Sequence, residues 1–135
     1  MTAPEETVGI RGEKVSIYGY TAYVVKKVSL TVDEKGLHVK PVVYIIVEDL
    51  KDPKGCYRYV IEEGSERVYG WYDGASVAEM YRETKDAIDA LYTAAREKLA
   101  AFNALKELLE KDGIVVDARC WGYYKLKEDI AKELQ

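Results

Sequence analysis

Cysteine and long apolar runs are scarce in this sequence. Cys56 and Cys120 lie far apart and form no CxxC pair, which excludes a metal knuckle and a thioredoxin-like motif. They are either free thiols or, in an extreme thermophile, one disulfide. The longest apolar run, VVYIIV at 42–47, is too short to span a bilayer, and MTAPEETVGI lacks the pattern of a signal peptide. We expect a single cytoplasmic domain over residues 1–135.

Heat-labile residue types are also rare. The chain holds one Asn, one Gln, two Met and two Cys, whereas Lys and Glu are abundant. This balance is typical of proteins from hyperthermophiles. The net charge is −4 at pH 7, whereas a duplex-DNA binder usually carries a basic excess. The composition therefore weighs against double-stranded DNA as a ligand but is compatible with a local basic groove.

Residues suited to catalysis are few. The one histidine, His38, is predicted at an outward strand position, where a solvated side chain is more common than a general base. Arg119 could lower the thiol pKa of Cys120, but a buried, inert cysteine is the more common case. The sequence contains no P-loop, nucleophile elbow, HExxH or glycine-rich dinucleotide motif. We predict a protein that is not an enzyme and has no metal and no cofactor.

Strand patterns dominate the first half of the chain. VSLTV at 28–32 alternates, and DEKG at 33–36 predicts a turn in which Gly36 takes a positive φ. The following strand ends in VVYIIV, which is apolar on both faces and therefore central in the sheet. Pro41 predicts a bulge or an unpaired position beside it. The core face is expected to hold Val28, Leu30, Leu37 and Val39.

A second hairpin is predicted over CYRYVIEEGSERVYGWYDG at 56–74. If EGSE forms the turn, Arg58 lies opposite Trp71 and shares an open face with Tyr69. The opposite face, which is predicted to meet a helix, takes Tyr57, Tyr59, Ile61, Val68, Gly70 and Tyr72.

From residue 76 to about 111 the apolar spacing becomes helical, and Asp112-Gly113 predicts the end of the helix. A helix of this length runs about 50 Å, whereas a strand of six to eight residues spans about 20–25 Å. One sheet cannot cover the whole apolar stripe. The C-terminal half, with Phe102, Leu105 and Leu109, is therefore predicted to contact the final segments or another subunit.

The last segments complete the predicted fold. IVVDARCWGYY at 114–124 predicts a strand, and LKEDIAKEL predicts a short closing helix. The fold class is α+β, with an antiparallel sheet of four to five strands packed on one long amphipathic helix, followed by a C-terminal strand and short helix.

Tyrosine is abundant where phenylalanine is scarce, with twelve Tyr, two Trp and one Phe. Several of these rings are interleaved with a cation, in Tyr57-Arg58-Tyr59, Arg67-Val68-Tyr69 and Arg119-Cys120-Trp121. Surfaces that bind single-stranded nucleic acid use this mixture, because every base has a π-face and arginine both stacks and binds phosphate. The alternative is that tyrosine serves as an ordinary strand residue with its hydroxyl in water.

The order of elements adds a second clue. Several strands followed by one long helix that overruns the sheet, with strand aromatics and a thermophile composition, resemble the ThermoDBP family of archaeal single-stranded DNA-binding proteins over roughly residues 13–112. The resemblance implies an aromatic-lined cleft between sheet and helix that holds the strand, and a dimer made by helices. The resemblance rests on the pattern of elements and composition alone, and no functional residue is carried over from the family.

Two hypotheses follow. In the first, a homo-oligomer binds single-stranded DNA, or RNA, without catalysis. Its rings would stack bases or line the cleft and its cations would contact phosphates, using Trp71, Tyr69, Tyr57, Tyr59, Trp121, Arg58, Lys26, Lys27 and Arg119. In the second, the chain is a homo-oligomeric structural or adaptor protein. Its long helix forms a protein interface and its tyrosines are ordinary sheet packing.

Overall fold

The computed structural model describes residues 12–17, 20–48, 55–117, 123–126 and 128. For residues 55–57 and 123–126 it describes the backbone alone. The elements in this part of the chain are β1 (Glu13–Ile17), β2 (Tyr20–Asp33), β3 (Gly36–Glu48), β4 (Gly55–Glu63), β5 (Arg67–Gly70), α1 (Val77–Lys111) and β6 (Tyr123–Leu126).

The predicted α+β fold is confirmed. Five strands lie side by side in the order β1-β2-β3-β4-β6, β5 pairs with β3, and the sheet packs on one long helix. The described C-terminal strand is β6, and residues 114–117, which were predicted to begin it, form no strand. Of the predicted closing helix, LKEDIAKEL, the first residue Leu126 instead ends β6, Glu128 is described, and the other residues lie outside the described part of the chain.

Contacts divide the chain into two compact units. The first unit contains Met1–Val25, Ile45–Tyr59 and Leu99–Gln135, and the second contains Lys26–Tyr44 and Val60–Lys98. Three of the strands and the helix contribute residues to both units.

In the first unit, β1 pairs with the start of β2, from Glu13 opposite Val24 to Ile17 opposite Tyr20. The start of β4 pairs with β6, which places Arg58 opposite Tyr123. Ala22 and Val24 alternate on the inward face of β2, whereas the adjacent Ile46 and Val47 of β3 are both buried, because this central strand is apolar on both faces. The buried side chains include Ile17, Ala22, Val24, Ile46, Val47 and Leu99.

In the second unit, β5 pairs with the beginning of β3, from Gly36 opposite Gly70 to Val39 opposite Arg67. The predicted hairpin between β4 and β5 is therefore wrong. Both strands follow the same edge of β3, and residues 64–66 interrupt them.

Pro41 gives the physical reason for this interruption. Proline has no N–H to donate to a neighbouring strand, so a ladder breaks where it enters the sheet. The Pro41 carbonyl still accepts a hydrogen bond from the Gly64 N–H at 3.0 Å. The unpaired position predicted beside Pro41 is thus the gap between β4 and β5.

The β2–β3 turn forms as the sequence predicted. The Asp33 carboxylate accepts hydrogen bonds from the N–H groups of Lys35 (2.8 Å) and Gly36 (3.3 Å). Gly36 has a φ of +140°, and a Cβ there would lie 2.1 Å from the carbonyl oxygen of Tyr69. Only glycine fits this position, because it tolerates both the dihedral angle and the close approach of β5.

Helix α1 has well-defined ends. Ser76 caps its start by accepting a hydrogen bond from the Glu79 N–H at 3.2 Å. After Lys111, Gly113 takes a φ of +79°, and the Ile114 N–H donates to the Leu109 carbonyl at 3.1 Å. The helix has 35 residues, or about 52 Å. Among the described residues no helix is long and apolar enough to cross a bilayer.

We expect Gly64→Ala to lower the free energy of unfolding by roughly 1–3 kcal/mol, because overpacking strains a close-packed site. A Cβ at Gly64 would lie 2.8 Å from Pro41 Cγ and 3.0 Å from Leu91 Cδ1. Urea denaturation measures the change. The matched control is Ser65→Ala at the exposed neighbouring position, which should change stability by less than about 0.5 kcal/mol. Equal stability of the two variants would contradict tight packing at the gap.

Candidate functional site

An apolar groove of about 540 Å³ opens in the second unit. One wall comes from β2 and β3, and the other comes from the first half of α1. The sheet wall consists of Lys26, Val28, Leu30, Leu37 and Val39, and the helix wall consists of Val77, Met80, Tyr81, Thr84, Lys85, Ile88 and Asp89. We call this surface the groove.

The groove leaves large apolar side chains in contact with solvent. Leu30 is 64% exposed, Val77 79% and Tyr81 66%. Val39 and Ile88 are buried. The predicted core face is therefore wrong for Leu30, because α1 does not cover this end of β2. Exposed apolar residues that cluster in a groove are a common mark of a binding surface.

The charged side chains at the groove are paired with each other. Asp89 lies 3.3 Å from Lys26 Nζ and 2.9 Å from Lys85 Nζ. Lys85, and next Lys26, lower the pKa of Asp89, and Asp89 raises the pKa of Lys85. The Lys26 ammonium also lies 4.7 Å from the centre of the Tyr92 ring. Lys26 was predicted to contact phosphate, yet Asp89 already faces it, although an exposed pair of this kind is weak enough to exchange partners.

Two aromatic rings stand at the end of β5. Trp71 is 55% exposed, as predicted, and its indole N–H donates to the Asp33 carbonyl at 3.1 Å. Tyr72 is fully exposed. The turn that carries them is closed by Asp73, whose carboxylate accepts from the Gly70 N–H at 2.7 Å and whose N–H donates to the Gly70 carbonyl at 3.1 Å. Both rings are thus presented by a short, hydrogen-bonded turn.

Tyr69 does not belong to this exposed pair. It lies opposite Leu37 on the face of the sheet that meets α1, and only 4% of it is exposed. Its hydroxyl donates to Glu83 at 2.6 Å, and the Arg67 guanidinium lies 4.7 Å from its ring centre. Burial, and next Glu83, raise the pKa of Tyr69. The prediction that Tyr69 faces the open side is wrong, because it assumed pairing of β5 with β4.

The other residues that the sequence singled out belong to different units. The second unit holds Lys26, Lys27, Tyr69 and Trp71, and the first unit holds Tyr57, Arg58 and Tyr59. Arg58 lies opposite Tyr123, so its predicted pairing with Trp71 is wrong. Arg119 and Trp121 lie outside the described residues, and the side chain of Tyr57 is not described.

Two exposed rings were missed by the sequence interpretation. Tyr72 was assigned to the face that meets a helix, and Tyr81 lies in the segment that was predicted to be helical. The Asp73-Gly74 pair after Tyr72 was an available turn signal, because these residue types mark the end of a strand. No local sequence signal marks the exposure of Tyr81.

His38 is less exposed than the sequence predicted. Its side chain is 16% exposed, and its two ring nitrogens lie 2.5 Å from Glu66 Oε1 and 2.9 Å from Asp33 Oδ1. Asp33, and next Glu66, raise the pKa of His38 above its ordinary value of 6.5. His38 in turn lowers the pKa of Asp33. Across the described residues no group of three His, Cys, Asp or Glu side chains is suited to a metal ion.

No protein-family model, curated protein or solved structure matches this chain. The resemblance to the ThermoDBP family therefore stays a prediction from the sequence pattern. Inferences about function rest on the surface chemistry of the protein itself.

We expect the stabilisation that His38 gives to be largest in mild acid. A histidine whose pKa is raised by folding stabilises the fold fully below its unfolded value and loses that effect as the pH rises through its folded pKa. The contribution of Asp33, whose pKa is lowered, persists above its own unfolded value and is lost only as the pH falls through its lower folded pKa.

His38→Gln tests this directly. The melting temperature of the unmodified protein should exceed that of the variant more at about pH 5.5 than at about pH 8.5. Lys40→Gln on the same strand removes a cation paired with Glu63 and serves as the control, since its effect should be the same at both values. A difference for His38→Gln that does not change with pH would contradict the ion-pair assignment.

Proposed function

We propose that this chain is a non-catalytic protein-interaction module that associates with a protein partner, including a second copy, through the C-terminal half of α1. The observation that carries the proposal is a row of exposed apolar side chains in the first unit. Phe102 is 43% exposed, Leu105 55% and Leu108 59%. Just beyond the helix, Ile114 is 49% exposed and Val115 94%. We call the three helical residues the helix stripe.

The helix stripe forms one continuous surface. Residues three apart are neighbours on a helix, so the three side chains follow each other along one side. The inward side of this part of α1 is marked by buried Leu99 and by Asn103, whose side-chain N–H donates to the Ser16 carbonyl at 3.0 Å. Leu109, which the sequence assigned to the interface, is half-buried. The exposed apolar surface therefore lies to one side of the packed face.

The size of this surface indicates a reversible complex. Burying a large apolar side chain completely is worth about 1.5–3 kcal/mol. Four side chains that are roughly half exposed and Val115, which is almost fully exposed, offer roughly 5–9 kcal/mol, whereas association costs an estimated 4–15 kcal/mol in lost translational and rotational freedom. The helix stripe with Ile114 and Val115 thus supports association that depends on concentration and needs further contacts to become tight.

Binding of single-stranded nucleic acid is the second candidate. It is supported by three exposed rings in the second unit, namely Trp71, Tyr72 and Tyr81. A base that stacks on such a ring contributes about 1–3 kcal/mol. The paired state of Lys26 and Lys85 and the net charge of −4 place this candidate second, because phosphate binding depends on available cations.

Leu105→Asp should reduce self-association by at least tenfold, because a carboxylate placed in an apolar contact loses its hydration. Light scattering on a sizing column, over a range of loading concentrations, measures the mass. Ala100→Asp adds the same charge at an exposed position on another side of the helix and should associate like the unmodified protein. Equal masses for the two variants would contradict the helix stripe as an interface.

For the second candidate, Trp71→Ala should weaken binding of labelled oligo-dT by roughly one to two orders of magnitude, because one stacked base is lost. Fluorescence anisotropy at low salt measures this, with a duplex of equal length as the comparison. Trp71→Phe retains a stacking ring and should bind nearly as well. A lack of oligo-dT binding by the unmodified protein would eliminate this candidate.

A further inference from the structure

Among the described residues, the second half of β2 has a neighbouring strand on one edge alone. Pairing with β1 ends at Val24, and in the described part of the chain no other strand lies on that side of Lys26–Asp33. Leu30 and Val32 in this segment are 64% and 65% exposed. An exposed strand edge with apolar side chains presents free backbone N–H and C=O groups, which favours pairing with another strand. We call this segment the β2 edge.

The β2 edge of one copy is complementary to the β2 edge of a second copy that runs antiparallel to it. The sequence KKVSLTVDE at 26–34 has two lysines at one end, alternating apolar residues in the middle and two carboxylates at the other end. If a second copy runs antiparallel with Leu30 opposite Leu30, then Val28 faces Val32 of the second copy. Lys27 then faces Asp33, and Lys26 comes next to Glu34, the first residue of the turn that follows β2. Opposite charges and apolar pairs placed directly across from each other stabilise a sheet.

The faces of the strand agree with this register. Lys26, Val28 and Leu30 line the groove, so strand alternation places Val32 on the same face. Asp33 lies on the other face, where it contacts His38. Residues directly opposite in an antiparallel pair share a face, so all apolar pairs fall on the groove side.

Neighbouring registers keep some apolar pairs but lose both pairs of opposite charges. Centring the pair on Ser29 places Lys26 opposite Val32 and leaves Lys27 opposite Thr31. Centring it on Thr31 places Lys27 opposite Lys35, and like charges directly across a sheet are destabilising. The register centred on Leu30 is therefore favoured.

We propose that the β2 edge is a docking surface for a second copy of this chain, which adds its own β2 antiparallel with Leu30 on the two-fold axis. The contact is isologous, since the same segment serves both copies. It joins the two sheets edge to edge and is separate from the helix stripe. The exposed pair between Lys26 and Asp89 is weak enough to give way to Glu34 of the second copy.

Cysteine cross-linking tests this register. Residues opposite each other in an antiparallel pair have Cα atoms about 4.5–5.5 Å apart, which a disulfide spans. Leu30→Cys should therefore form a disulfide-linked dimer on mild oxidation, at a yield at least tenfold above the unmodified protein. Val28→Cys alone and Val32→Cys alone should not, because each lies about 13 Å from its own copy. A mixture of these two variants should cross-link, as seen on a non-reducing gel.

A charge exchange adds a second measurement. Lys26→Glu and Glu34→Lys should each lower the rate of Leu30→Cys cross-linking several-fold, and both changes in one chain should restore it. Lys26 lies near the middle of β2 and Glu34 just beyond its end, about 27 Å away, so such a rescue acts between copies. Equal cross-linking of the 28, 30 and 32 variants would overturn the proposal. So would loss of the Leu30→Cys dimer when Leu105→Asp is added, because association would then depend on the helix stripe.

Discussion

The missing N–H of Pro41 in the central strand β3 is the constraint on which the arrangement of the second unit depends. It interrupts the neighbouring strand at residues 64–66, and Gly64 fills the gap against the proline ring. β5 then continues along β3, which turns Tyr69 towards α1 and leaves Trp71 beyond the end of the strand. This one backbone feature therefore leaves Tyr69 buried and Trp71 exposed.

The exposed surface of the groove, β2 and the end of α1 is more apolar than basic. The cations at the groove already face Asp89, and Arg67 faces Glu83. Exposed pairs of this kind add little stability, but they reduce the positive potential available to a polyanion. Large apolar side chains remain exposed along β2 and along the end of α1. This contrast favours protein partners over nucleic acid, and it gives a function to the exposed side of the C-terminal half of α1.

Local signals in the sequence predicted the fold well. The Asp33–Gly36 turn and the end of α1 at Gly113 both follow from residue types a few positions apart. Local signals did not predict that β5 pairs with β3. EGSE is also a good hairpin turn, and only Pro41, more than twenty residues away, excludes the hairpin. The errors for Tyr69 and Arg58 follow from that one non-local pairing, and the exposure of Leu30 depends on where α1 begins to cover the sheet.

Sedimentation equilibrium of the unmodified protein over a wide concentration range tests the central claim, that the exposed apolar surfaces are protein interfaces. The average mass should rise with concentration from the monomer value of 15.3 kDa to at least twice that value, because the exposed side chains supply only a modest free energy of association. The rise should persist in high salt, since apolar burial is not screened by ions. A mass that stays at the monomer value at every concentration, in both low and high salt, would contradict this account.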